Sequence, residues 1–224
     1  MEQTIQKELT SYFGKSIRYY FGRGPKSVYM TKVPPFFTIQ LRGIMLPIER
    51  LLIERGKTKH IEETRVLLMN KLLPEFQVKL REETNMKFKD IYYDWNFQNQ
   101  SGMIWGEIEQ PRQRAWPAHV NREAFEDKIS EFTGRKQKSP ENTEAFWSGD
   151  RTLVIRQQGI LCSVEKEFIN KGYCSQVIEV RRKLEDQTFD RESIEKMLGR
   201  KINDIFIDFN FKEDVGYKVL TLDS

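Results

Sequence analysis

The chain has 224 residues, which allows one large domain or two small ones. Hydrophobic residues make up 38% and charged residues 31%, so the chain can bury a core and is too apolar to be disordered. The formal net charge of +4 is small beside that of a dedicated nucleic-acid binder, so nucleic acid is not the expected partner.

Residues 4–21 place Ile5, Leu9, Tyr12, Phe13, Ile17 and Tyr20 on one helical stripe. Gly22-Arg23-Gly24-Pro25 must stop that helix, because Pro25 disfavours helical geometry at Gly24 and glycine permits positive φ. Residues 28–31 and Phe36–Arg42 read as a hairpin turning at Val33-Pro34-Pro35. A short helix follows. Pro47 suits its first position, Glu49 its N-terminal dipole and Gly56 a left-handed stop. The next helix is expected from about His60 to Glu83, with a kink or break near Leu72–Leu73 at Pro74. Strands at Phe88–Gln98 and Met103–Glu109 close the segment.

A shift of 116 positions then lays the chain on itself. Gly43 falls on Gly159, Glu49 on Glu165, Gly56 on Gly172, Arg65 on Arg181 and Leu68 on Leu184. With a two-residue gap after that, Lys87–Phe97 falls on Lys201–Phe211. The second copy predicts a helix at Arg122–Phe132, a hairpin over 145–157, helices at 163–171 and 176–198, and strands at 202–211 and 216–222. The expected fold is therefore α+β: two α-β-β-α-α-β-β modules, each a four-stranded antiparallel sheet with helices on one face. The expected boundaries are 1–110 for the first module, 111–121 for a Pro-containing linker and 122–224 for the second, diverged module. Such a tandem implies a pseudo-dimer within one chain.

Several of these segments resemble a known family. Gly22-Arg23-Gly24-Pro25 is similar to its G-[KR]-G-P turn, Gly43–Leu52 to its G-x-L-[TS]-x-x-E-x-x-L segment, Arg65 to its arginine position and Lys87–Phe97 to its closing strand. The family is named for the C component of a Na+-translocating, membrane-potential-generating system of bacteria. The resemblance covers most of 5–109 and is fainter over 122–222, where Lys138-Ser139-Pro140-Glu141 lies near the place of the Gly-Pro turn. It implies a partner among membrane ion-transport subunits and brings no catalytic residue with it. Members are often single modules, so this chain resembles a fused pair.

Residue by residue, the chemistry is sparse. Gly22, Arg23, Gly24, Pro25 and Lys26 could cradle an anion or touch a partner, although no G-K-[ST] follows to make a P-loop. The simpler reading is a helix-to-strand turn. Glu49 with Arg65, and Glu165 with Arg181, read as a partner site or as a helix-anchoring ion pair repeated in each module. Asp90, Asp94 and Asn96, with their counterparts Asp204, Asp208 and Asn210, alternate with Ile91, Tyr93, Trp95 and Phe97. The apolar set should face the core, and the polar set should be a solvated sheet face rather than a cation site. His60 and His119 have no zinc-ligand spacing. Cys162 and Cys174 have no CxxC partner, which fits a reducing cytoplasm.

No uncharged run approaches the roughly 18 apolar residues of a bilayer helix, and no basic-then-apolar leader begins the chain. The expected function is thus a soluble, non-catalytic accessory or regulatory protein, cytoplasmic or peripheral at the inner membrane face. No cofactor or metal is expected. The alternatives are a nucleic-acid-binding regulator, drawing on 17 Lys/Arg against 13 Asp/Glu in residues 1–110, and a small-anion sensor.

Overall fold

The structure, a computed structural model, describes residues 2–84, 87–109 and 114–223. The linker expected at 111–121 lies partly outside these residues, since 110–113 are not described. The chain divides into two compact units, Met1–Pro111 and Arg112–Ser224.

The first unit runs α1 (Glu2–Phe21), β1 (Ser27–Val33), β2 (Phe36–Arg42), α2 (Pro47–Glu54), α3 (Thr58–Thr84), β3 (Phe88–Asn96) and β4 (Ser101–Ile108). The second runs α4 (Arg122–Gly134), β5 (Asn142–Trp147), β6 (Thr152–Gln158), α5 (Ser163–Asn170), α6 (Cys174–Thr188), α7 (Arg191–Leu198), β7 (Ile202–Asn210) and β8 (Val215–Leu222). The sheets are antiparallel throughout, ordered β1-β2-β4-β3 and β5-β6-β8-β7. This is the repeated α+β module, with one helix more in the second copy.

The repeat extends to single residues. Trp95 pairs with Gly102, and Phe209 with Gly216. Gln100 and Asp214, in the turns beside them, share a φ of 53°. Asn96 and Asn210 each accept a hydrogen bond from the backbone N–H three residues on, at 3.1 and 3.2 Å. The side-chain oxygen takes a backbone N–H of the turn, which explains an asparagine at the strand end in both copies.

Helices pack on one face of each sheet. In the first unit Leu9, Phe13, Ile17 and Phe21 recur every fourth residue along α1 and pack with Met69, Leu72 and Phe76 of α3 and with Phe37, Ile39 and Ile104 of the sheet. In the second, Phe125 and Ile129 of α4 meet Leu153, Ile155 and Leu220 of the sheet and Ile194 and Leu198 of α7.

Of the kink or break expected at Pro74, the break does not occur, and the single helix expected over 176–198 is corrected. Pro74 does not end α3, which runs unbroken from Thr58 to Thr84. The buried Met69, Leu72, Phe76 and Leu80 lie on both sides of it, and their packing outweighs the lost backbone hydrogen bond. The second copy, expected to be one helix over 176–198, is divided instead. Asp190 caps α7, accepting from the Ser193 N–H at 3.1 Å, and Phe189 before it is extended. Carried forward without its gap, the repeat register sets Pro74 opposite Asp190.

The solvated strand face is also corrected. Ile91, Tyr93 and Trp95 do pack on the core, yet the opposite face is buried too. Tyr92 and Asp94 are only 8% exposed, Asp204 5%, and the Tyr92 and Trp105 rings stack at 5.9 Å. Asp90 is exposed, while Asn96, Asp208 and Asn210 are half-buried. An alternating strand separates two faces; it does not say that the polar one meets water.

The second core differs from the first in charge. The register sets Leu41 opposite Gln157, Met69 opposite Glu185 and Ile104 opposite Lys218, all buried. Lys218 Nζ lies 2.6 Å from Glu185 Oε2 and 3.3 Å from Gln157 Oε1. Thr133 donates to the same Gln157 oxygen, and Gln137 donates to Glu185 Oε1, both at 3.1 Å.

Candidate functional site

Two of the segments that carry the family resemblance, Gly43–Leu52 and Lys87–Phe97, converge on its arginine position, Arg65. From α3, its Nε donates to Glu49 Oε1 at 2.7 Å and its Nη2 to Glu49 Oε2 at 2.8 Å. The same Nη2 donates to the Ile44 carbonyl at 3.0 Å. Glu49 is the third residue of α2, and its Oε2 also accepts the Leu46 backbone N–H at 2.8 Å. One carboxylate therefore caps the helix and holds the guanidinium, a bidentate and charge-assisted arrangement.

Aromatic rings complete the enclosure. The guanidinium carbon lies 4.4 Å from the Trp95 ring centroid, 5.1 Å from that of Phe97 and 5.8 Å from that of Phe21. A cation held over ring faces away from water is stabilised by their quadrupoles. Trp95 reaches across β4 because its partner there is Gly102, where a Cβ would stand 2.4 Å from the ring. Ile44 in turn donates its N–H to the Gln100 carbonyl at 2.9 Å, tying the loop before α2 to the β3–β4 turn.

The second unit repeats the arrangement around Arg181. Its Nη2 donates to the Ile160 carbonyl at 2.5 Å and to Glu165 Oε2 at 2.9 Å, and its Nε stands 2.8 Å from Glu165 Oε1. Glu165 Oε2 accepts the Cys162 N–H at 2.9 Å. Among the described residues, Phe209 alone lies over this guanidinium, at 5.8 Å. Burial works against the charged Glu165, but the bonds from Arg181 and Cys162 outweigh it and hold the carboxyl below its ordinary range.

These clamps fix two short helices, α2 and α5. Each ends at a glycine with positive φ, Gly56 at 67° and Gly172 at 89°. In each, paired backbone bonds close the last turn, Lys57 N–H to Leu52 O at 2.8 Å and Tyr173 N–H to Phe168 O at 3.0 Å. Each carries exposed apolar side chains among charged ones such as Arg50 and Glu54 on α2 and Lys166 and Glu167 on α5. Ile48 and Leu51 on α2 are exposed, as are Val164 and Phe168 on α5, and Ile48 and Val164 occupy the same repeat position. Spacing alone gave no signal of this surface, because an apolar residue in a short helix reads as core.

The Gly22–Lys26 turn stands apart from the clamp's polar contacts. Gly22 has a φ of 72°, Arg23 and Lys26 are exposed, and the Lys26 N–H is taken by the Arg42 carbonyl at 2.8 Å. The Lys26 stem lies along Gly43, where a Cβ would stand 2.5 Å from it. The geometry here is that of a helix-to-strand connection. Among the described residues no group of three or more His, Cys, Asp or Glu is placed to hold a metal ion, and no helix is long and apolar enough to cross a membrane.

Comparison with curated proteins and with solved structures gives no match. The family model described as Na+-translocating membrane potential-generating system (MpsC) matches residues 1–108 and again 121–224. The chain belongs to that family and carries its module twice.

Proposed function

We propose that this chain is a non-catalytic accessory component that docks, through the outer faces of α2 and α5, onto a membrane-embedded subunit of a Na+-translocating system at the inner membrane face. The observation that carries the reading is that each short helix pairs exposed apolar side chains, Ile48 and Leu51 or Val164 and Phe168, with a glutamate clamped by a buried arginine of the next helix, in both units. A clamp of this kind holds a binding surface in one geometry before the partner arrives, which lowers the ordering cost of association. In this reading the modules are 1–110 and 122–224 joined by 111–121, and the fused chain supplies what single-module members would supply as two.

Crosslinking in native membranes, followed by mass identification of the neighbours, tests it. The wild-type chain is expected to recover a membrane ion-transport subunit. The double variant Ile48→Asp/Val164→Asp is expected to recover none while melting at an unchanged temperature. Recovery of the same neighbours by the double variant, or of no membrane subunit by the wild type, overturns the reading.

A further inference from the structure

The second unit contains a cleft of about 340 Å3 that the docking reading does not use. Its lining includes Arg114, Trp116, His119, Trp147, Asp150 and Arg200. The volume lies at the small end of ligand clefts, which span about 300–1,000 Å3.

Its chemistry is that of a flat anion's site. Trp116 and Trp147 stand edge to face at 6.0 Å and give an aromatic wall. Trp147 is 5% exposed, and its indole Nε1 is buried with no hydrogen-bond partner among the described residues. A buried N–H left unsatisfied is costly and calls for an acceptor. Arg200 is fixed by two backbone carbonyls, donating through Nη1 to Asp150 and through Nη2 to Asp223. Two of its five N–H groups suffice for that, and the others are left for a ligand. Arg114 pairs with the Asp150 carboxylate, whose side chain is 81% exposed. An exposed pair of that kind is weak, so an incoming anion can take Asp150's place. His119 closes one side, its Nε2 3.3 Å from the Leu198 carbonyl. Strand pairing in the first unit sets Lys32 opposite Phe37 where the second sets Trp147 opposite Leu153, so Trp147's part of the aromatic wall has no aromatic counterpart there.

We propose that this cleft binds a small planar organic anion, an aromatic ring bearing one carboxylate or phosphate, with the ring against Trp116 and Trp147 and the charge on Arg114 and Arg200. The test is tryptophan fluorescence and thermal shift on the full chain with four probes: benzoate, phenyl phosphate, benzamide and inorganic phosphate. Benzoate or phenyl phosphate is expected to bind saturably with a Kd of about 1 mM or tighter. Benzamide, which lacks the charge, and inorganic phosphate, which lacks the ring, are expected to bind about tenfold more weakly or not at all. Arg114→Gln should weaken the better probe by about tenfold. Because Arg114 is exposed, its loss should leave the melting temperature of the free protein unchanged. Trp116→Leu should abolish the preference for phenyl phosphate over inorganic phosphate. Absence of saturable binding by either aromatic anion overturns the proposal. So does equal binding of benzamide and benzoate, or affinity that neither substitution changes.

Discussion

Met69 and Glu185 occupy the same place in the two units, both buried, and only Glu185 is charged. Its partner Lys218 likewise stands where the first unit has Ile104. The two cores thus solve one packing problem with apolar side chains and with an ion pair.

Breaking that pair from one side should be worse than removing it. Glu185→Met leaves the Lys218 ammonium buried without its carboxylate, and about 3–5 kcal/mol of stability should be lost. Glu185→Met with Lys218→Ile restores the first unit's residues, and its stability should match or exceed the wild type. Gln157 keeps Thr133 and Thr143 as partners in that double variant. Urea denaturation followed by circular dichroism compares the two. A double variant no more stable than the single would contradict the assignment.

Arg65 is predicted to be irreplaceable by lysine. Arg65→Met should cost about 3–5 kcal/mol by leaving Glu49 unpaired. Arg65→Lys keeps the charge but loses the two-pronged contact and the planar stacking on Trp95, so its midpoint should fall between those of wild type and Arg65→Met.

Gly102→Ala brings a methyl to 2.4 Å from the Trp95 ring, whereas Gly216→Ala meets its nearest atoms at 3.2 Å. Overpacking of the first kind costs about 1–3 kcal/mol. The melting temperature should fall further for Gly102→Ala than for Gly216→Ala, and the reverse order would show that Trp95 is not held as described.

Acid should weaken the second clamp. The Glu165 carboxyl titrates below its ordinary value of 4.5 when folded. A depressed carboxyl pKa adds stability that is full above the unfolded value and is lost as pH falls through the folded one. The wild type should therefore lose stability from about pH 4.5 downward, and Glu165→Gln should lose less over that window while being less stable at pH 7. Melting curves at pH 7, 5 and 3.5 read both slopes; parallel slopes would remove Glu165 from the account.

The element order, the duplication and the glycine stops were legible because they are local: positive φ at Gly56 and Gly172, proline at the start of α2, alternation along Asp90–Phe97. The Glu49–Arg65 and Glu165–Arg181 pairs were legible because the repeat preserved both partners. What periodicity left out were facts decided by packing from elsewhere in the fold. Asp94 alternates like a surface residue and is buried. Pro74 signals a kink or break, but the core around it supports a continuous helix. Trp116 and Trp147 meet across 31 positions of chain, a distance no local pattern spans.

The contrast between α3 and its divided counterpart has a mechanical consequence. At 1.5 Å per residue the 27 residues of α3 make a rod about 40 Å long, which carries a push at one end to the other. The joint at Phe189-Asp190 divides the counterpart into helices of 15 and 8 residues, so no single rod of that length spans the second unit.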